Sequence, residues 1–167
     1  QLFADQHADR LRYDHSAQAW YRWDGFRWNH DRTRLAFHWA RSKCRELTDQ
    51  GVKESVQAKV RSSTFVGGVE TFARADARLA VTADHWDNDP WLLGHPQGMV
   101  DLRTLTFLPP DPGAHISKSV KVTPEQPGQY HCPRWLQFLD GATNGSPQMQ
   151  DYLQQIAGYA LTGDVSE

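Results

Sequence analysis

The pattern of apolar residues and turn formers predicts a mainly α domain: about four to five helices, with one or two small β-hairpins around a Trp-rich irregular centre. Three observations lead there. Apolar residues recur at helical spacing through residues 31–85 and again through 131–163. The stretch from Trp86 to Thr104, WDNDPWLLGHPQGMVDLRT, holds no helical face, because Asp89-Pro90, Pro96 and Gly98 interrupt every 3.6-residue period. Asp24-Gly25 sits between two aromatic runs, which is a strong short-range hairpin signal.

The elements can be justified in order. Residues 1–17 read as a frayed or linker start, and 18–30 as a hairpin with Asp24-Gly25 in a two-residue type I′ turn, so that Trp23 faces Phe26 and Arg22 faces Arg27. From Asp31 or Thr33 to about Gln50, Leu35, Ala36, Trp39, Ala40, Cys44 and Leu47 mark one helical face, and Gly51 offers a left-handed end. A shorter helix is expected over Lys53 to Arg61. A third is expected from Phe65 to about Val81, with N-caps available at Ser62-Ser63-Thr64 and a weak start at Gly67-Gly68.

Residues 86–108 form the irregular centre with a small hairpin, and its structural residues are Trp86, Asp87, Pro90, Trp91, Leu93, Gly98, Asp101 and Leu102. Residues 109–130 read as a connector, since 109–128 holds five prolines, although Ile116, Val120 and Val122 suggest a short edge strand. Cys132-Pro133 and Ser146-Pro147 each open a helix with Pro at its first position. Trp135, Leu136 and Leu139 are expected to be buried in the former, and Met149, Tyr152, Leu153, Ile156, Ala157 and Ala160 in the latter.

A chain of 167 residues with 39% apolar content and seven tryptophans reads as one globular domain, and no apolar run reaches the ~18 residues of a membrane span. It starts with Gln and lacks a charged-then-apolar leader, so it reads as a piece of a longer cytoplasmic protein. Cys44 and Cys132 lack the spacing of a zinc or disulfide pair. The net charge of −2 conceals an asymmetry: residues 1–62 carry twelve Lys+Arg against eight Asp+Glu, a local +4, and the remainder is −6. Any contact with nucleic acid is therefore expected at the front of the chain, through Arg22, Arg27, Arg32, Arg34 and Arg41, with neighbouring aromatic rings available for base stacking.

Two motifs, in order, carry a family resemblance. W-D-x-D-P-W-L-L followed by P-x-G-x-V-D-L-R-T, at Trp86 to Thr104, resembles the centre of the helical domain that precedes the superfamily 3 helicase core in phage, plasmid and poxvirus-type primase-helicases. Gly158-Tyr159-Ala160-Leu161-Thr162-Gly163 is similar to the signature that closes that domain. Where that family usually has Asn and Gly, this chain has Gln97 and Leu105, and the latter argues for a different hairpin turn. The resemblance implies a non-catalytic module in a bacterial host cell, linking a primase region to an ATP-driven motor expected after residue 167. It implies no cofactor here, with ATP and Mg²⁺ belonging to the motor, and the helicase motor and primase region as partners. Single-stranded DNA is the third candidate partner. The module alone is expected to be monomeric or weakly associated, and the whole protein hexameric.

The residues also leave two other function classes open. A metal-dependent, phosphate-handling enzyme could use the aspartates Asp84, Asp87, Asp89 and Asp101, but aspartates beside Pro and Trp more commonly accept backbone N–H bonds in turns. A protein-interaction domain without DNA contact is the other. No phosphate loop, nucleophile elbow or dinucleotide fingerprint is present in the sequence.

Overall fold

The computed structural model describes residues 1–49, 51–125, 128 and 131–164. Gln50 and the last residues of the connector fall outside the described residues. The chain runs α1 (Leu2–His7), β1 (Leu11–Asp14), β2 (Ala19–Trp23), β3 (Trp28–His30), α2 (Leu35–Thr48), α3 (Glu54–Val60), α4 (Ser63–Arg74), β4 (Ala80–Val81), β5 (Leu92–His95), β6 (Gly98–Asp101), β7 (Thr106–Leu108), α5 (Pro133–Ala142) and α6 (Pro147–Leu161). Among the described residues helix accounts for 44% and strand for 16%, in two small sheets, so the fold is mixed α/β and the expectation of a mainly α domain is corrected. The strands have two to five residues, and the first sheet is completed by a parallel pairing of β1 with β4 from far along the chain. Local periodicity carries no signal for such a partner.

The first sheet, in the order β3-β2-β1-β4, separates two layers. On one face Leu11, Tyr13 and Trp20 meet Phe3 and Ala4 of α1, Ala36, Ala40 and Cys44 of α2, and Val66 and Ala73 of α4. Residues 1–17 are therefore structural rather than frayed: Leu11 has no exposure and Tyr13 is 3% exposed. Small residues on the buried face of α2 allow close approach of α4, and the buried Glu70 has a partner in this core, accepting from Trp20 Nε1 at 2.8 Å.

Several boundaries moved for identifiable reasons. Helix α4 starts early, because the Ser62 hydroxyl accepts from Phe65 N–H, and it ends at Arg74 rather than near Val81. The chain needs Leu79 in the core and Ala80–Val81 on β1, where Tyr13 N–H donates to Leu79 O at 2.7 Å. The first hairpin pairs Trp23 with Trp28 and Arg22 with Asn29, two residues out of the expected register. Its loop is Asp24 to Arg27, because the Asp24 carboxylate accepts from the N–H groups of Phe26 and Arg27 at 3.1 and 3.0 Å, an Asx-type closure that needs more chain than a two-residue turn.

The second sheet is the meander β5-β6-β7, with one strand more than expected of the centre. Gly98, at φ +143°, is required there, since a Cβ would run into the Leu108 carbonyl. Leu105 itself takes the left-handed conformation, φ +56°, so the β6–β7 turn keeps a glycine-like shape despite the side chain. The segment 116–120 stitches the two sheets together: Trp28 N–H donates to Ile116 O at 2.7 Å and Val120 N–H to Gly94 O at 2.9 Å.

Helices α5 and α6 are capped and started as the sequence requires, with Pro133 and Pro147 in their first turns and Ser146 capping α6. Neither buries a side chain, contrary to the expected burial of Trp135, Leu136 and Leu139 and of the α6 stripe. Trp135 and Leu136 are 55% and 59% exposed. The C-terminal end of α6 is tied to the centre by Gly163 N–H, which donates to Pro90 O at 2.7 Å.

Candidate nucleic-acid interface

Alternation along β1, β2 and β3 turns Arg12, Asp14, Tyr21, Trp23 and Trp28 toward the irregular centre, on the face opposite the helices. There Trp86 lies between the layers. Its ring centroid is 4.7 Å from Tyr21, 5.9 Å from Trp28 and 6.0 Å from His115, and its Nε1 donates to Asp14 Oδ2 at 2.8 Å. Burial raises the Asp14 carboxyl, but hydrogen bonds from Ala17 N–H, Trp86 Nε1 and Ser16 N–H outweigh it and hold the group below the usual carboxylate value. Trp28 is 1% exposed and donates from Nε1 to Pro112 O at 2.9 Å. These rings form a second core, so Trp20, on the helix face, and Trp28 are not available to stack on bases.

The four aspartates of the centre serve separate turns. Asp87, itself at φ +51°, accepts from Ser117 N–H, Ser117 Oγ and Lys118 N–H at 2.8, 2.6 and 3.1 Å. Asp89 accepts from Trp91 N–H and from both terminal nitrogens of Arg103, which hold its carboxyl below the usual value. Asp101 accepts from Arg103 N–H at 2.8 Å, and Asp84 accepts from the Thr82 hydroxyl. Among the described residues no group of three or more His, Cys, Asp or Glu is placed to hold a metal ion. The other residues singled out at the centre are structural in the same way: Leu93 pairs with Val100, Leu102 N–H donates to Trp91 O, and the Arg103 guanidinium covers the Trp91 ring at 5.7 Å.

The five candidate arginines are spread from the first hairpin to α2. Arg22 is exposed on β2 opposite Asn29, so it does not face Arg27. Arg27, in the loop, lies over the Phe26 ring at 5.6 Å and 3.9 Å from Asp24. Arg32 and Arg34 precede α2, Arg34 at φ +60° with its guanidinium over Phe37 at 4.7 Å. Arg41 is exposed two turns along α2, 3.2 Å from His38 Nδ1. Among the described residues, Arg22, Arg32, Arg34 and Arg41 form no ion pair. The start of α2 is already supplied with an anion: Asp31 accepts from Thr33 N–H at 2.9 Å and Leu35 N–H at 2.6 Å, and its carboxyl stays below the usual value, because these bonds, the Thr33 hydroxyl and the charge of Arg22 outweigh burial. A phosphate would therefore meet side chains rather than the helix terminus.

Arg10 and Arg12 were missed. Arg12 lies over Trp28 at 4.8 Å and donates to Leu11 O at 2.8 Å, and Arg10 lies over Trp39 at 5.3 Å. Reading residues 1–17 as linker hid them. Their i, i+2 spacing on an alternating strand start was the available signal.

The profile of the D5 N terminal like family matches residues 1–144. The chain belongs to that family, the domain that precedes the superfamily 3 helicase in primase-helicases. The match takes in both sheets and α1 to α5, and it stops before α6. Among curated proteins no match was found. Among the described residues, no helix is long and apolar enough to cross a membrane.

Proposed function

We propose that this chain is a non-catalytic accessory domain of a phage- or plasmid-type replicative primase-helicase, working in the cytoplasm of a bacterial host. It joins a primase region to the ATP-driven motor and holds their relative orientation. The observation that carries this reading is the family match over residues 1–144. The fold supports a mechanical role: two cores share one sheet, and the aspartates of the centre are committed to closing turns rather than to chemistry. ATP and Mg²⁺ act in the motor, and this domain's own residues carry no step of the hydrolysis.

A weak contact with single-stranded DNA is part of the proposal. Arg22, Arg27, Arg32, Arg34 and Arg41 supply positive charge between the first hairpin and α2, whereas Trp20 and Trp28, being buried, supply no stacking. Binding is therefore electrostatic, independent of sequence and steeply weakened by salt, as each neutralised phosphate releases counterions. Fluorescence anisotropy with a labelled single strand at two salt concentrations tests this. Arg32→Ala/Arg34→Ala/Arg41→Ala should weaken binding at least tenfold and flatten the salt dependence, roughly one unit of slope per lost contact. Binding that the triple variant leaves unchanged would place the contact elsewhere.

A further inference from the structure

Trp86 to Thr104 and Gly158 to Gly163, the two stretches singled out in the sequence, are far apart in the chain and meet in the fold. Gly163 N–H donates to Pro90 O at 2.7 Å. The approach suits a residue without a side chain, since a Cβ on Gly163 would stand 3.2 Å from Pro90 Cα and 3.4 Å from Pro90 Cβ. Both sides of the contact are prepared. Beside Pro90, Asp89 accepts from Trp91 N–H at 3.0 Å and from both terminal nitrogens of Arg103, whose guanidinium covers the Trp91 ring. Before Gly163, Thr162 ends α6 in an extended conformation, ψ +155°, and its N–H and hydroxyl both donate to Tyr159 O.

Helices α5 and α6 are joined to each other by the bonds of their own turn. The Thr143 hydroxyl donates to Leu139 O at 2.7 Å and accepts from Gln150 Nε2 at 3.1 Å, and Gly145 N–H donates to Asp140 O at 2.9 Å. Neither helix contains a buried residue, so the burial that fixes α2 against the first sheet is missing from this pair. The pair is an arm with an internally closed turn, and its far end touches the body at Pro90.

We infer that the Gly163–Pro90 contact is a latch, which sets the angle of the α5–α6 arm against the body and lets the arm swing as a unit when it opens. A single hydrogen bond moves a docked-to-released equilibrium by roughly tenfold or less, so the docked position dominates and the released one stays within reach. Glycine at 163 is what allows the two backbones to close, and the Asp89–Arg103 pair holds the opposite side still. On the orienting role proposed above, this is the point at which the orientation is set. The latch is read in the isolated chain, with no motor or DNA present, so its failure and the failure of that role are separate results.

Spin labels at Gln154→Cys on α6 and Lys59→Cys on α3 test it through the distance between them, as both residues are exposed, Cys44 is buried and Cys132 can be replaced by Ser. The otherwise unaltered chain should give one main distance. Gly163→Val drives a branched side chain at the Pro90 backbone and should raise the released share by about tenfold, seen as a broad distribution, with Gly163→Ala in between. Gly158→Val, at a glycine of α6 with open space around it, should leave the main distance in place. Circular dichroism and the thermal melt should match the unaltered chain in every variant, because Gly163 lies outside both cores. A broad distribution in the unaltered chain, a Gly163→Val chain that keeps the main distance, or a Gly158→Val chain that broadens as much as Gly163→Val would each overturn the latch.

Discussion

Helices α2 and α6 have nearly the same length and both carry an apolar stripe, yet α2 buries Ala36, Ala40, Cys44 and Thr48 while α6 buries nothing. The difference lies in what faces them. The body of the molecule, up to the segment at 115–120, offers α2 a strand face and the small residues of α4, and it closes polar groups with specific partners, such as Glu70 on Trp20 and Asp14 on Trp86. Among the described residues, the backbone bond that ties the α5–α6 region to that body is the one from Gly163 to Pro90. An amphipathic period therefore states which face can be buried, and a second surface decides whether it is.

The largest effect that would sharpen this contrast is at Trp28. Trp28→Ala should cost about 3 to 5 kcal/mol, since the ring is fully enclosed and its loss leaves a cavity between the sheet and the centre. A urea denaturation midpoint unchanged from the wild type would show that the second core is not load-sharing. Next comes the strut beneath Trp86. Asp14→Asn replaces an acceptor with an amide whose N–H₂ faces either Trp86 Nε1 or the Ser16 and Ala17 N–H groups, and should cost about 1 to 3 kcal/mol in the same measurement.

Acid should undo the body in two stages. Burial, and for His7 and His115 also nearby arginine charge, lowers His7, His95 and His115 below their ordinary value of 6.5. The unfolded chain therefore binds these protons first, and their contribution, complete above about 6.5, is lost as pH falls below it. Asp14, Asp31 and Asp89 are held below the ordinary carboxylate value of 3.8, and Asp76, bonded by Arg78, is down at about 2, so their contribution is present above about 4 and lost on further acidification. Thermal melts from pH 7 to pH 3 should fall in these two windows. A melting temperature that is flat between pH 7 and 5 would contradict the buried, neutral histidines.

The smallest effect is expected on α6. Tyr152→Ser, at a residue 57% exposed, should change the stability of dilute protein by no more than about 0.5 kcal/mol. A cost comparable to that of Trp28→Ala would mean that the stripe is covered within the chain and would erase the contrast between the two regions.

Much of this was legible in the residues. The starts of α4, α5 and α6 follow from Ser62, Pro133, and Ser146-Pro147, because caps and first-turn prolines act within four residues of themselves. The family was legible in the Trp86 to Thr104 motif, and the charge asymmetry in plain counting. Leu105 shows a limit of residue rules: a side chain disfavoured at positive φ still occupies that conformation, since strands β6 and β7 determine the turn from both sides.

What only the tertiary structure decided is every feature that depends on a distant partner. β1 pairs locally with β2, but its other edge is covered only because Leu79 and Ala80–Val81 come back to it, and residues 1–17 looked like a tail without that pairing. The hairpin register shifted by two because the Asp24 carboxylate closes a longer loop, which separated Arg22 from Arg27 and removed the expected like-charge pair. Trp28 became core rather than stacking surface in part because Trp86, more than fifty residues later, lies against it. Local sequence determines what a segment is able to bury or bond; only the meeting of segments determines which of those capacities is used, since burial energy arises from two surfaces at once.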